Sequence, residues 1–186
     1  MTHLRSGKRE RLVNSASELL HRQGVASTTL AEVAQAADVP PGNVYYYFKT
    51  REELIRAVID SHAEAVRTLL GSYERRSDPR ERLKGLAHSW TDVSELVTAH
   101  GCPIGSLAVE LNKRDCSLGE PAGHLFRLML DWAEAQFRAL GRPDPRADAT
   151  TLIGNVQGAA LLANALRDPE LLAGETRRLE AWIDTL

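Results

Sequence analysis

A Pro-Pro-Gly break runs directly into three tyrosines and a phenylalanine at Val39–Lys49, VPPGNVYYYFK, just after two short stretches of helical periodicity. Proline and glycine are both unfavourable inside a helix, so the break is a turn and a new short helix starts behind it, near Gly42–Phe48. Rings at consecutive helical positions point in different directions, so at least two of the tyrosines must face solvent. A large ring carrying a hydroxyl, held out on a helix behind a tight turn, suits a surface that meets another molecule. The pattern predicts a helix-turn-helix whose second helix enters a groove of DNA.

Composition supports a dedicated site there, because aromatics are only 5% of the chain and three of its four tyrosines fall in that tripeptide. At 186 residues the chain has room for a small module joined to a larger one. A hydrophobic content of 43% with 26% charged residues belongs to a globular protein rather than a disordered one. No apolar run approaches the length of a membrane span, and the start, MTHLRSGKRERL, lacks the apolar core of a signal peptide. A cytoplasmic location without membrane contact is expected. Net charge is −2, yet residues 1–51 carry seven basic side chains (Arg5, Lys8, Arg9, Arg11, Arg22, Lys49, Arg51) against Glu10, Glu18, Glu32 and Asp38. That is +3 locally and −5 for the rest. A DNA-binding head on an acidic body gives this asymmetry, and so does a solvated basic arm.

Helical spacing dominates the whole chain, which predicts an all-α fold. Leu12, Ala16, Leu19 and Leu20 mark one face of a first helix ending at Gly24; Ser27 or Thr28 can cap a second over Thr29–Ala37. Thr50 with Glu53 opens a long fourth helix, Asp78-Pro79 opens the next, and His100-Gly101-Cys102-Pro103 interrupts the pattern. A long helix follows near Pro121–Leu140. The stretch Leu152–Ala163 is almost entirely small or apolar, with Gly154 and Gly158 four apart on one face. Leu179, Trp182, Ile183 and Leu186 make an apolar stripe on the last helix. Packing inside one chain and a four-helix bundle shared with a second copy satisfy these two patterns equally.

Chemistry-bearing motifs are otherwise sparse. The six histidines (His3, His21, His62, His88, His100, His124) show no metal-ligand spacing, and Cys102 and Cys116 complete no zinc pattern and no disulfide framework. Neither a metal nor a cofactor is expected. No nucleophile elbow, phosphate loop or paired-carboxylate motif occurs, so the chain is not expected to be an enzyme. Cys102 beside a helix start is either a thiol of lowered pKa or a small apolar lining residue.

The run from Arg9 to Ile59, RERLVNSASELLHRQGVASTTLAEVAQAADVPPGNVYYYFKTREELIRAVI, resembles the N-terminal domain of the tetracycline-repressor (TetR) family. The resemblance rests on Gly24 after the first helix, the Thr-Thr opening of the second, the aromatic cluster closing the third, and Phe48-Lys49-Thr50-Arg51-Glu52-Glu53-Leu54 leading into the fourth. Gly101–Ala108, GCPIGSLA, is similar to a segment of the branch related to LmrA and YxaF. The resemblance implies a helix-turn-helix DNA-binding domain over residues 1–50 and a helical ligand-binding and dimerisation domain over 51–186. It implies a homodimeric, ligand-responsive repressor on a pseudo-palindromic double-stranded operator, released by a small apolar effector. Carried over by position, Thr28 and Thr29 start the second helix beside the DNA backbone, one hydroxyl capping and the other reaching a phosphate. Pro41, Gly42 and Asn43 begin the recognition helix, Tyr45 and Tyr46 touch phosphate or thymine methyls, and Lys49 meets a phosphate. Pro40-Pro41 replaces the polar pair usual there, which leaves Asn43 as the leading base-reading residue. Trp90, Cys102, Leu107, Phe126 and Met129 fall on helices that enclose the family's effector cavity, with Asn112 and His88 as orienting polar groups. Gly154, Gly158, Leu162, Leu179 and Trp182 would form the dimer interface. A helical sensor or adaptor without specific DNA binding is the rival reading, motivated by the net negative charge and Pro40-Pro41.

Overall fold

The computed structural model describes residues 7–114 and 117–186, so Cys116 lies outside the described residues. Within them the chain forms ten α-helices and no strand: α1 Lys8–Ser27, α2 Leu30–Ala36, α3 Pro41–Tyr47, α4 Arg51–Tyr73, α5 Pro79–His88, α6 Ser94–His100, α7 Pro103–Lys113, α8 Gly119–Ala139, α9 Pro145–Leu166 and α10 Glu170–Asp184. One turn of 3-10 helix, Thr91–Val93, precedes α6. None of the helices is long and apolar enough to cross a membrane among the described residues. The chain divides into two compact units, one running to His62 and including Ser106–Ala122, the other made of Ala63–Gly105 and Gly123–Leu186. The division by contact falls inside α4.

In the first unit, α1 buries Leu12, Val13, Ala16 and Leu20 along one face. Gly24, at φ 81° and ψ 168°, interrupts the helix before it resumes for one turn. Left-handed φ is costly for any side chain, which is why glycine stands here. The cap of α2 is Thr29, one residue later than the spacing suggested. Its hydroxyl oxygen accepts from the Glu32 amide at 3.2 Å, and the Glu32 carboxylate accepts from the Thr29 amide at 2.8 Å, a complete capping box. Thr28 cannot serve, because it is buried and its hydroxyl donates to the Gly24 carbonyl at 2.8 Å. Hydrogen bonds from Thr29 hold the Glu32 carboxyl below its ordinary value, so the box is intact at neutral pH and weakens as acid protonates Glu32. The turn between α2 and α3 passes through Asp38 at φ 51°, a conformation aspartate tolerates better than most residues. Pro41 opens α3 at its first turn, where its missing N–H costs nothing.

Between α1 and α4, the Ser17 hydroxyl lies 3.3 Å from Nε2 of the partly buried His62. Burial, with His21 nearby adding repulsion, keeps His62 below the ordinary imidazole value. The unfolded chain therefore takes up a proton near pH 6.5 that the folded chain still refuses, and stability falls as pH drops through that value. Thermal melting at pH 7.5 and 5.5 should show this loss, and His62→Gln should shrink it. An unchanged difference between the two pH values in His62→Gln would remove His62 as its source.

The second unit is assembled around large side chains from several helices. Leu83 and Leu86 of α5, Phe137 of α8, Leu152 of α9, and Leu172, Leu179 and Ile183 of α10 are all fully or almost fully buried in one cluster. Asp78 and Asp144 cap α5 and α9 by accepting from the amides of Arg80 (2.9 Å) and Ala147 (3.0 Å), each followed by proline at the first helical position. The break expected at His100–Pro103 is the end of α6, where Gly101 takes φ 82°.

Candidate nucleic-acid interface

The α3 helix has two sides with different fates. Val44 is buried, as is Phe48 just after the helix, whose ring is covered by the Arg9 guanidinium at 5.2 Å. Pro41, Gly42, Tyr45 and Tyr46 are exposed at helical spacing and form one outward stripe, with the exposed Lys49 just beyond the helix end. Tyr46 is 77% exposed and Tyr45 56%, values that large aromatics reach only where nothing of their own chain covers them. Tyr47 sits edge-on to Tyr46, with ring centroids 5.0 Å apart. Asn43 flanks the stripe, partly buried, and its amide donates to the Pro40 carbonyl at 2.8 Å. Lys49 donates from Nζ to the Tyr45 carbonyl at 2.8 Å, so it closes the C-terminal end of α3 while its exposed charge stays at the rim of the stripe.

Neither threonine at the start of α2 has an idle hydroxyl. Thr29 donates to Glu32 Oε2 at 2.8 Å, and Thr28 is the buried residue described above. In this conformation both hydroxyls are engaged within the chain, Thr28 by the carbonyl that the Gly24 break exposes.

Several residues framing the interface carried no signal in the sequence. Arg11 donates to the carbonyls of Ala37 (3.0 Å) and Asp38 (3.2 Å), fixing the turn before α3. Arg51 donates to the Thr28 carbonyl at 2.9 Å, tying the start of α4 to the α1–α2 junction. Only the aspartate in a turn context could have been read in advance.

The expected effector residues fall in both units. Trp90 and Met129 are buried in the core of the second unit, with Cys102 and Phe126 packed against it. Leu107 is buried too, but it belongs to the first unit. His88 and Asn112 are both exposed rather than turned into an enclosed space. His88 stands between Glu180 at 3.4 Å and Asp92 at 3.8 Å. An open hollow of about 590 Å³ in the second unit is lined by Asp92, Val93, Ser94, Glu95, Leu96 and Ala99, none of them in the expected set.

Of the expected interface residues, Gly154, Gly158 and Leu162 face outward from α9, Leu162 being 52% exposed. Leu161 and Leu166 accompany them, and from Thr150 to Leu166 the sequence has no charged residue. Leu179, 1% exposed, is a core residue of its own unit, and Trp182 packs on Phe137 with centroids 5.6 Å apart.

A short capped helix, a tight turn and a second helix with an exposed polar-aromatic stripe are the parts of a helix-turn-helix protein. Residues 12–58 match the family described as bacterial regulatory proteins, tetR family. An uncharacterized HTH-type transcriptional regulator of Mycobacterium tuberculosis is 30% identical over 173 residues, 87% of each chain. The HTH-type transcriptional regulator LmrA of Bacillus subtilis is 25% identical, over 83% of this chain and 85% of that one. A TetR transcriptional regulator from Legionella pneumophila shares the fold, with a TM-score of 0.85 over 97% of both chains at 22% identity. The chain belongs to the tetR family of bacterial transcriptional regulators, a family of DNA-binding proteins and not of enzymes.

Proposed function

We propose that the protein is a homodimeric repressor that binds a pseudo-palindromic operator and is released by a small apolar effector. The observation that carries the reading is the stripe of Gly42, Tyr45 and Tyr46, with Lys49 just beyond it, left uncovered by its own chain. Gly42, without a side chain, lets the start of α3 come close to DNA behind Pro41. Tyr45, Tyr46 and Lys49 meet backbone and thymine methyls, and Asn43 reads a base edge from the flank. Thr28 and Thr29 act by holding the start of α2 in place beside the DNA backbone. Residues 1–50 serve DNA and 51–186 serve the effector and the second copy, in the cytoplasm. In the body, the half-covered Cys102 and Phe126 mark where an apolar molecule would pry into the core beside Trp90 and Met129. A coupling of about 1–3 kcal/mol between the two sites suffices to change operator affinity roughly 5- to 150-fold.

Gel-shift titration on the gene's own upstream DNA tests the reading. Tyr45→Ala or Lys49→Ala should weaken operator and scrambled DNA alike, whereas Asn43→Ala should cost about 1–3 kcal/mol on the operator only. Apolar compounds that quench tryptophan emission should also release the DNA. Failure of the unmodified protein to prefer any upstream sequence would favour a sensor or adaptor without specific DNA binding.

A further inference from the structure

We infer that Glu110 of α7 is a positioning residue for the DNA-reading helices, an inference that rests on the operator-binding reading above. Gly24 ends the first run of α1, and the turn that resumes at Val25 starts with amides lacking an upstream helical partner. The Val25 amide, on a buried residue, donates to Glu110 Oε2 at 2.7 Å. That length is typical of a hydrogen bond to a charged acceptor. A carboxylate from a helix 85 positions away thus caps the restart of α1.

Residue 24 is tied to this contact as well. A Cβ there would stand 2.9 and 3.1 Å from the two Glu110 carboxylate oxygens, so glycine serves both the left-handed backbone and the approach of the carboxylate. The junction that follows carries the Thr29 cap of α2. It is closed by the Thr28 hydroxyl on the Gly24 carbonyl and gripped by Arg51 at the Thr28 carbonyl. Glu110 and Arg51 therefore hold Val25–Thr28 from two helices, α7 and α4.

The α7 helix also begins at Pro103, immediately after the Gly101-Cys102 turn, and runs without a break to Lys113. Hydrogen bonds weaken steeply with stretch and misalignment, so a small shift of α7 would free the Val25 amide and loosen the start of α2. The fraction of molecules with α2 and α3 in the DNA-competent arrangement would fall, and apparent affinity with it.

The test uses the full chain with Glu110→Ala, Glu110→Gln, Gly24→Ala and the Gly24→Ala/Glu110→Ala double variant. Operator and scrambled-DNA affinities are measured at fixed salt, with melting temperatures and the exchange rate of the Val25 amide. Glu110→Ala should lower operator affinity on the order of tenfold, as expected for losing a hydrogen bond to a charged group, with scrambled DNA less affected. Glu110→Gln keeps an acceptor oxygen and should recover part of the loss. The double variant should lose less than the sum of the single losses. Operator affinity at the unmodified level in Glu110→Ala would overturn the inference, as would equal losses in Gln and Ala variants that track lowered melting temperature. If the unmodified protein binds no operator, the DNA reading fails instead, and unchanged Val25 exchange in Glu110→Ala would still overturn the junction role.

Discussion

Gly158→Arg is expected to give a folded monomer whose operator binding is weaker by about a hundred- to ten-thousand-fold, the range spanned by losing a linked second contact. The first half of the expectation follows from the single chain. Gly158 is exposed on α9 and an added Cβ would meet no atom within 4 Å, so the side chain fits without displacing anything. Replacing glycine inside a helix also improves helix propensity by somewhat under about 1 kcal/mol. The second half follows from the face on which Gly158 lies. Seventeen positions from Thr150 to Leu166 without a charge, with Leu161, Leu162 and Leu166 uncovered and Gly154 one turn away, make a surface that a soluble monomer rarely exposes. A guanidinium at the point where glycine permits close approach would be desolvated without a partner. Sedimentation, melting and gel-shift titration separate the outcomes. A Gly158→Arg protein that stays dimeric and keeps its operator affinity would move the interface off this face of α9.

The exposed uncharged face of α9 was legible in the sequence because it depends on residues that are absent: no charge from Thr150 to Leu166 and two glycines in register. The reading of α10 was not. Leu179, Trp182, Ile183 and Leu186 announce an apolar stripe, but a stripe has the same spacing whether it meets its own core or another chain. The structure places Leu179 and Ile183 inside the unit, with Trp182 packed on Phe137. The helix-turn-helix was legible for a related reason. Its signals are local: proline and glycine at the turn, threonine with glutamate three residues on, and rings at consecutive positions. Even there the sequence could not choose between Thr28 and Thr29 as the cap. The choice is made by the Gly24 carbonyl, which takes up the Thr28 hydroxyl. The contacts of Glu110 with Val25 and of Arg51 with Thr28 join residues far apart in the chain and leave no periodic trace. In the body, His88 and Asn112 are exposed and Trp90 and Met129 are covered, a difference that helical spacing does not reveal. Apolar residues on adjoining helices look alike whether they line a cavity or fill one.

Phe137→Ala should cost about 3–5 kcal/mol, the range for deleting a buried aromatic ring. Phe137 is fully buried near the end of α8, and its ring meets Trp182 at an interplanar angle of 40°. Aromatic pairs of this kind add about 0.5–1.5 kcal/mol beyond the area they bury. The Phe137 carbonyl also accepts from the Arg142 amide at 3.2 Å where the chain leaves α8, so relaxation into the cavity would disturb that turn. For a chain of this length, each kcal/mol moves the melting midpoint by about 2–4 °C, which puts the expected fall at roughly 6–20 °C. The same substitution decides where Trp182 belongs. In a Trp90→Phe, Trp132→Phe background, Trp182 is the sole remaining tryptophan, and Phe137→Ala should shift its emission to the red at every protein concentration. A Trp182 covered by a second copy would behave otherwise: its emission would move to the red when the unmodified protein is diluted through its dissociation, and Phe137→Ala would hardly touch it. Emission that follows dilution and ignores Phe137 would return Trp182 to the interface and leave Phe137 packed without it.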